Sequence, residues 1–268
     1  PEGAISAQEF CTQAQNFIGG TGTVDFTINV TTMEELRDTI HCINMLSNSE
    51  TGASFNFEVF LSSPYYLLDP YYNEPDANPD LDIYLQQGDH LTIEGCGCDD
   101  HRGENGTGKT TIDAKELSRI FDIHSGNVTI QYLELTGGNA NTPDEEGHVG
   151  LGGAIYNNGD LTLNGVCVVN NEATDGGGIY STPAMLFLDL AENYYMMSTL
   201  PNYLTLNNSL VEDNKAFNNG GGIYSLNSYT QILNNTFVVH NTAIGEPTDK
   251  TADIPIRIDS EGNITYFQ

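Results

Sequence analysis

The residues Gly103-Glu104-Asn105-Gly106-Thr107-Gly108-Lys109-Thr110 satisfy the spacing of a phosphate-binding loop, in which backbone N–H groups cradle phosphates and the lysine reaches the terminal ones. That chemistry requires a buried strand before the loop and a long helix after it. Here Thr111-Ile112-Asp113 continues as a strand, and Asp99-Asp100 on the approach would repel a triphosphate. Nucleotide binding is therefore not expected. A second group, Asp69, Glu74, Asp76, Asp80, Asp82 and Asp89, crowds carboxylates onto a Pro- and Tyr-rich stretch. Oxygen-rich loops suit Ca²⁺. Asp76, Asp80 and Asp82 are the candidate ligands, although the EF-hand spacing is absent, and no other cofactor is expected.

Cleaving an acidic polysaccharide by elimination needs Arg or Lys to hold the substrate carboxylate and take the α-proton. Between Leu91 and Ile244 the basic residues are Arg102, Lys109, Lys115, Arg119 and Lys215. Lys115 and Arg119 are close enough in sequence to line one loop, whereas Lys215 falls at a corner and reads as solvated. Hydrolysis would instead use paired carboxylates across a cleft. His101, His124, His148 and His240 are scattered and read as surface or corner residues. No catalytic residue is assigned.

The elements that position these groups repeat. Gly152-Gly153-Ala154-Ile155-Tyr156, Gly176-Gly177-Gly178-Ile179-Tyr180 and Gly220-Gly221-Gly222-Ile223-Tyr224 are copies of one phrase. A second phrase reads Leu161-Thr162-Leu163-Asn164, Leu204-Thr205-Leu206-Asn207 and, more weakly, Ile232-Leu233-Asn234-Asn235. A third ends in Asn171-Glu172-Ala173, Asn214-Lys215-Ala216 and Asn241-Thr242-Ala243. Ile179 follows Ile155 by 24 residues, a solenoid period. Short β-rich runs between Gly, Asn and Asp corners make one triangular turn, and stacked turns bury what a single repeat cannot. The expected fold is an all-β solenoid, a parallel β-helix of about five readable turns, with Asn171, Asn214 and Asn241 stacked at equivalent corners. Ile120-Phe121-Asp122-Ile123, Val128-Thr129-Ile130 and Leu91-Thr92-Ile93 extend the pattern backwards.

Thr31-Thr32-Met33-Glu34-Glu35 forms a capping box ahead of Leu36, Ile40 and Ile43 at helical spacing. That predicts a short helix covering the open end of the coil. Downstream, Ile254, Ile256 and Ile258 alternate with polar residues, and Ile264-Thr265-Tyr266 follows a turn, which predicts two strands. Together, Leu36-Arg37-Asp38-Thr39-Ile40, Leu91-Thr92-Ile93, Thr111-Ile112-Asp113 and the three glycine phrases resemble the secreted right-handed parallel β-helix repeat proteins over residues 24–244. The glycine phrase is also similar to that of chlamydial polymorphic outer-membrane proteins. This resemblance implies a right-handed coil with an N-terminal capping helix and a surface location. It specifies no activity, because the family hosts many, and the chain carries no Gly-His-Gly signature of the polygalacturonases. The expected organisation is one structural domain. Residues 1–50 form the N-terminal segment and cap helix, 51–90 the leading strands and acidic Tyr/Pro-rich loop, 91–244 the coils with an insert at 182–202, and 245–268 an extended tail.

The insert breaks the rhythm, since 44 residues separate Ile179 and Ile223. It carries Phe187, Tyr194, Tyr195, Met196 and Met197, the candidate partner-binding residues, which could equally pack back on the outer wall. Tyr65-Tyr66, Tyr71-Tyr72 and Tyr194-Tyr195 have the flat faces that stack on sugars or build subunit contacts. Cys11 and Cys42 can staple the N-terminal segment to the cap helix; Cys96 or Cys98 can pair with Cys167, and five cysteines leave one thiol over. Asn29, Asn105, Asn127, Asn207, Asn234 and Asn263 each begin an Asn-x-Ser/Thr acceptor. Thirty-seven acidic residues against eight basic ones, net −29, disfavour nucleic acid and anionic lipid as partners. No apolar run is long enough to span a membrane, and a leader is expected to have been removed before Pro1. These features predict a non-catalytic extracellular or cell-surface glycoprotein, structural or adhesive, self-associating or binding other extracellular proteins and glycans, as a subunit of an assembly or filament. The alternatives are a carbohydrate-active lyase or glycosidase and a sugar-binding module.

Overall fold

A computed structural model of the protein describes residues 3–68, 80–98, 108–141, 150–183, 185–190, 193–198, 202–245, 256–258 and 264–266. Within them the chain is mostly β, built on parallel sheets that do not close into a barrel, with two helices. An eight-stranded wall runs Ile5–Ser6, Gly22–Val30, Ala53–Leu61, His90–Glu94, Asn127–Gln131, Asp160–Asn164, Tyr203–Asn207 and Tyr229–Leu233. A six-stranded wall holds Tyr65–Leu67, Thr111–Asp113, Glu134–Thr136, Cys167–Val169, Leu210–Glu212 and Phe237–Val239. A five-stranded wall holds Leu81–Tyr84, Phe121–Ser125, Ile155–Asn157, Ile179–Ser181 and Ile223–Ser225. From His90 onward the chain visits the three walls in rotation, adding one strand to each per circuit, an order compatible with a solenoid.

Register follows the repeats. Ile155 pairs with Ile179 and Ile179 with Ile223, so the three Ile-Tyr phrases stack, and Phe121-Asp122 precedes them in the same column. Leu91, Val128, Leu161 and Leu204 likewise share one inward rank. Inward side chains from the walls form one apolar core, each large aliphatic contributing roughly 1.5–3 kcal/mol by leaving water. One phrase pairs differently from its sequence alignment: Ile232 lies beside Leu206, and Leu233 beside Asn207. The displacement is two residues, and a period of two keeps every side chain on its own face, so the inward–outward pattern cannot detect it.

The glycine phrases are explained by backbone approach. A Cβ on Gly177 would lie 2.3 Å from the Gly221 carbonyl oxygen and 2.5 Å from that of Lys215 in the next circuit. Gly176, with φ of +65°, turns the chain into this contact in a left-handed conformation that side chains resist. Beside it runs the asparagine column. Asn214 Oδ1 accepts from Asn171 N (3.0 Å) and Nδ2 (2.9 Å), and Asn241 Oδ1 accepts from Asn214 N and Nδ2, both at 2.9 Å. Each amide also closes a backbone carbonyl of the previous circuit, as Asn214 Nδ2 does on Val168 O (2.9 Å). Burial makes these bonds obligatory, since an unmet polar group there loses its hydration without compensation.

The helix expected near residue 33 is α2 (Met33–Ser47), capped by Thr32, whose side chain accepts from Glu35 N. Glu35 in turn accepts from Thr31 N and Oγ1, both at 2.7 Å, and the Thr31 bonds hold its carboxyl below the usual range. A second helix, α1 (Ala7–Gln15), was not anticipated, although Ser6-Ala7-Gln8-Glu9 carries the same cap signature. It presents Phe10 to Phe26 and Phe57, at centroid distances of 5.1 and 5.9 Å. The contact between α2 and the five-stranded wall is specific. Asn44 Nδ2 donates to Asp82 O (2.7 Å) while Asn44 Oδ1 accepts from Tyr84 N (2.9 Å), so one amide occupies the free edge of Leu81–Tyr84 as a neighbouring strand would. The expected C-terminal strands are Ile256–Ile258 and Ile264–Tyr266, paired antiparallel.

In urea unfolding, Gly177→Ala should cost at least about 3 kcal/mol because backbone must shift, whereas Gly20→Ala, with open space around its Cβ position, should stay within about 0.5 kcal/mol. Asn214→Ala should cost about 2–3 kcal/mol. Equal effects for the two glycine variants would refute the close-approach account.

Candidate functional site

Three outer faces present chemistry. On the eight-stranded wall, Thr92, Thr129, Thr162 and Thr205 stand in consecutive register, flanked by an amide ladder in which Asn207 Nδ2 donates to Asn164 Oδ1 (3.1 Å) and Asn234 Nδ2 to Asn207 Oδ1. At the far end Tyr203 and Tyr229 stack with centroids 5.4 Å apart and remain 47% and 57% exposed. On the six-stranded wall, the Cys98–Cys167 disulfide and Leu210 pack with Val169, Phe237 and Val239 in a small apolar cluster separate from the core. Beside it a shallow groove of about 270 Å³ is edged by Lys109, Glu134, Glu212 and Asp213.

The five-stranded wall carries the densest charge. Its outward column runs Asp82, Asp122, Tyr156, Tyr180 and Tyr224 in successive register. The tyrosine rings follow one another at 5.6 and 5.3 Å, the first pair stacked and the second tilted by 41°, and burial, followed by the neighbouring Tyr156 and Tyr224, pushes the Tyr180 hydroxyl up to about 12. Where the tyrosines give way to carboxylates, Arg119 is only 2% exposed. Its Nη1 donates to Asp80 Oδ2 (3.0 Å) and Asp122 Oδ2 (2.7 Å), its Nε to the Leu151 and Gly152 carbonyls (3.0 and 3.2 Å), and its guanidinium lies 5.3 Å from the Tyr156 ring centroid. On the other side of Asp122 is His124. Its Nε2 stands 3.2 Å from Asp82 Oδ1 and 3.3 Å from Asp122 Oδ1, and its ring stacks on Tyr84 at 4.0 Å and 8°. Three carboxylates thus face one guanidinium and one imidazole in a half-buried site.

The sequence candidates separate accordingly. Asp80 and Asp82 belong to this cluster, where Asp80 pairs with Arg119, and Asp76 lies outside the described residues. Lys115 and Arg119 do not line a common loop. Arg119 turns inward, whereas Lys115 stays outside on Asp113 (2.8 Å), which with Tyr65 holds its ammonium above the usual range. Lys109 pairs with Glu134 and Lys215 with Glu172, both at 2.8 Å. Lys109 leads into the strand Thr111–Asp113, not a helix. His124 is not a surface or corner residue: its side chain is 13% exposed and lies between Asp82 and Asp122. The sequence carries a signal for this in the alternation Asp82-x-Tyr84 and Asp122-x-His124, which at period two places each pair on one strand face, although the register between the two strands shifts at Tyr84.

Cys11 bonds Cys42 and Cys98 bonds Cys167, leaving Cys96 as the thiol. Asn29 accepts from Ser62 Oγ, Asn127 is half-buried on its strand, and Asn207 and Asn234 share the amide ladder, so these acceptors sit on strands or corners. Asn105 and Asn263 lie outside the described residues. The insert forms an antiparallel hairpin, Met185–Leu190 with Asn193–Ser198, pairing Phe187 with Met196, Leu188 with Tyr195, Asp189 with Tyr194 and Leu186 with Met197. No helix among the described residues is long and apolar enough to cross a membrane.

Arg119→Met should destabilise the protein by about 3–5 kcal/mol, because it leaves buried carboxylates uncompensated. The triple variant with Asp80→Asn and Asp122→Asn should recover most of that loss in urea titrations; no recovery would show that packing, not charge, holds Arg119. Burial raises the Tyr66 hydroxyl from 10.0 to about 12, as it does Tyr180. The folded state therefore keeps protons that the unfolded chain releases, so stability should be full below pH 10 and fall as pH rises towards about 12. Tyr180→Phe should flatten that decline, measured by unfolding at graded alkaline pH. No protein-family model, curated protein or solved structure matches this chain, so its function is read from its own residues.

Proposed function

We propose that the chain is a right-handed parallel β-helix serving as a non-catalytic extracellular or cell-surface protein, structural and adhesive, that assembles with further copies or with extracellular partners. The observation that carries this reading is the asymmetry of the stack's two ends. At one end, α2 lays Asn44 along the edge strand of a wall. At the other, the terminal strand Tyr229–Leu233 is largely exposed, as are Leu226, Leu233 and Ile244, the last at 56%. Edge strands of this kind template pairing with another chain.

Other features support the same reading. Two disulfides fit an oxidising compartment. Long in-register outer faces offer surface for contact. A sugar-binding role without turnover is favoured by one specific feature, the exposed Tyr203–Tyr229 stack, whose flat faces suit pyranose rings.

Sedimentation over a wide concentration range should show oligomers that are lost on deleting residues 254–268 or on introducing Leu233→Lys with Ile244→Lys. A monomer at every concentration would refute assembly through this end. Glycan-array binding lost in Tyr229→Ala, with no new ultraviolet absorbance from unsaturated ends on uronate polysaccharides, would establish the sugar-binding reading; appearance of that absorbance would establish a lyase instead.

A further inference from the structure

We infer that Asp82, Asp122 and His124 form a binding site for a divalent first-row transition ion of the zinc class, which takes Asp82 from the set that the neighbouring acidic stretch offers to Ca²⁺. Three donor atoms converge. His124 Nε2 lies 3.2 Å from Asp82 Oδ1 and 3.3 Å from Asp122 Oδ1, and all three fall within 4.8 Å of one another. Bonds of about 2.0–2.2 Å from one metal to nitrogen and oxygen place its ligands roughly 3.0–3.5 Å apart, so the donors need little movement to share an ion.

The surroundings supply what such a site requires beyond its ligands. Asp122 is fully buried and fixed through its other oxygen, Oδ2, by Arg119 at 2.7 Å, which leaves Oδ1 directed at His124. The imidazole is held flat against Tyr84. Outer partners of this sort orient ligands and raise affinity.

The donor set selects the metal. An imidazole with two carboxylates suits Zn²⁺, Mn²⁺ or Co²⁺, whereas Ca²⁺ takes six to eight oxygens and Mg²⁺ keeps most of its water. The remaining positions would hold water. The ion would pin the strand Leu81–Tyr84, which α2 covers on its free edge, to Phe121–Ser125, and so lock the capped end of the stack.

The test is calorimetric titration of the chelator-treated full chain with ZnCl₂ at neutral pH. One equivalent should bind with a Kd near the micromolar range, and His124→Gln and Asp82→Asn should each weaken it at least about tenfold, while Asp160→Asn, on another wall, leaves it unchanged. Titration of the unmutated protein with CoCl₂ should give visible absorption bands of an imidazole- and carboxylate-bound ion, a readout independent of whether the variants fold. Absence of the cobalt bands, equal affinity in His124→Gln, or CaCl₂ competing at the same concentration would each overturn the assignment.

Discussion

Successive circuits of this chain meet backbone to backbone at Gly153, Gly177 and Gly221, and the rest of the structure depends on that contact. The space between Gly177 and the Gly221 carbonyl admits no Cβ, so the spacing of the walls there is set by peptide units rather than by side chains. Close spacing permits the parallel ladders to stay in register, and register aligns like residues into columns. The asparagine, threonine and tyrosine ladders are consequences of this one geometric requirement.

Columns make the interior and the faces behave differently. Inward, identical aliphatic ranks stack into a continuous apolar core in which no circuit is stable alone. At the corner, buried amides of Asn171 and Asn214 close backbone groups that the turn would otherwise leave unmet. Outward, the same repetition multiplies whatever residue the phrase contains. A tyrosine column ends in a carboxylate column, and the misfit is resolved by burying Arg119 between them. That arrangement is costly to desolvate, and it is stable only because both carboxylates and two carbonyls converge on the guanidinium.

Stacking also creates ends, which repetition cannot solve. At the first end the solution is local and not repeated: α1 and α2, joined by the Cys11–Cys42 disulfide, bury Phe10 and present Asn44 and Ser47 to the wall's edge. The polar side chains on α2 therefore substitute for a missing strand. The metal site joins this edge strand to its neighbour Phe121–Ser125, so Asn44, which contacts Asp82 and Tyr84, and the ligand Asp82 act on the same few residues. The opposite end keeps exposed apolar side chains on its last strands, which suits association.

Much of the scaffold was legible because a repeated phrase reports a repeated environment. The Ile-Tyr and Leu-Thr-Leu phrases, the asparagine corners and the capping box at Thr32 each matched a position in the fold. What the phrases could not convey was anything occurring once. Helix α1, the two-residue displacement of Ile232, the inward turn of Arg119 and the meeting of His124 with Asp82 have no second copy to align. The sequence by itself determined the β-rich parallel stacking, since local alternation and glycine spacing act within one circuit and recur in the next. Only the tertiary structure decided which charges share a site, because Asp80, Asp82, Asp122 and His124 are brought together by register between circuits, a relation between distant residues that no local pattern encodes.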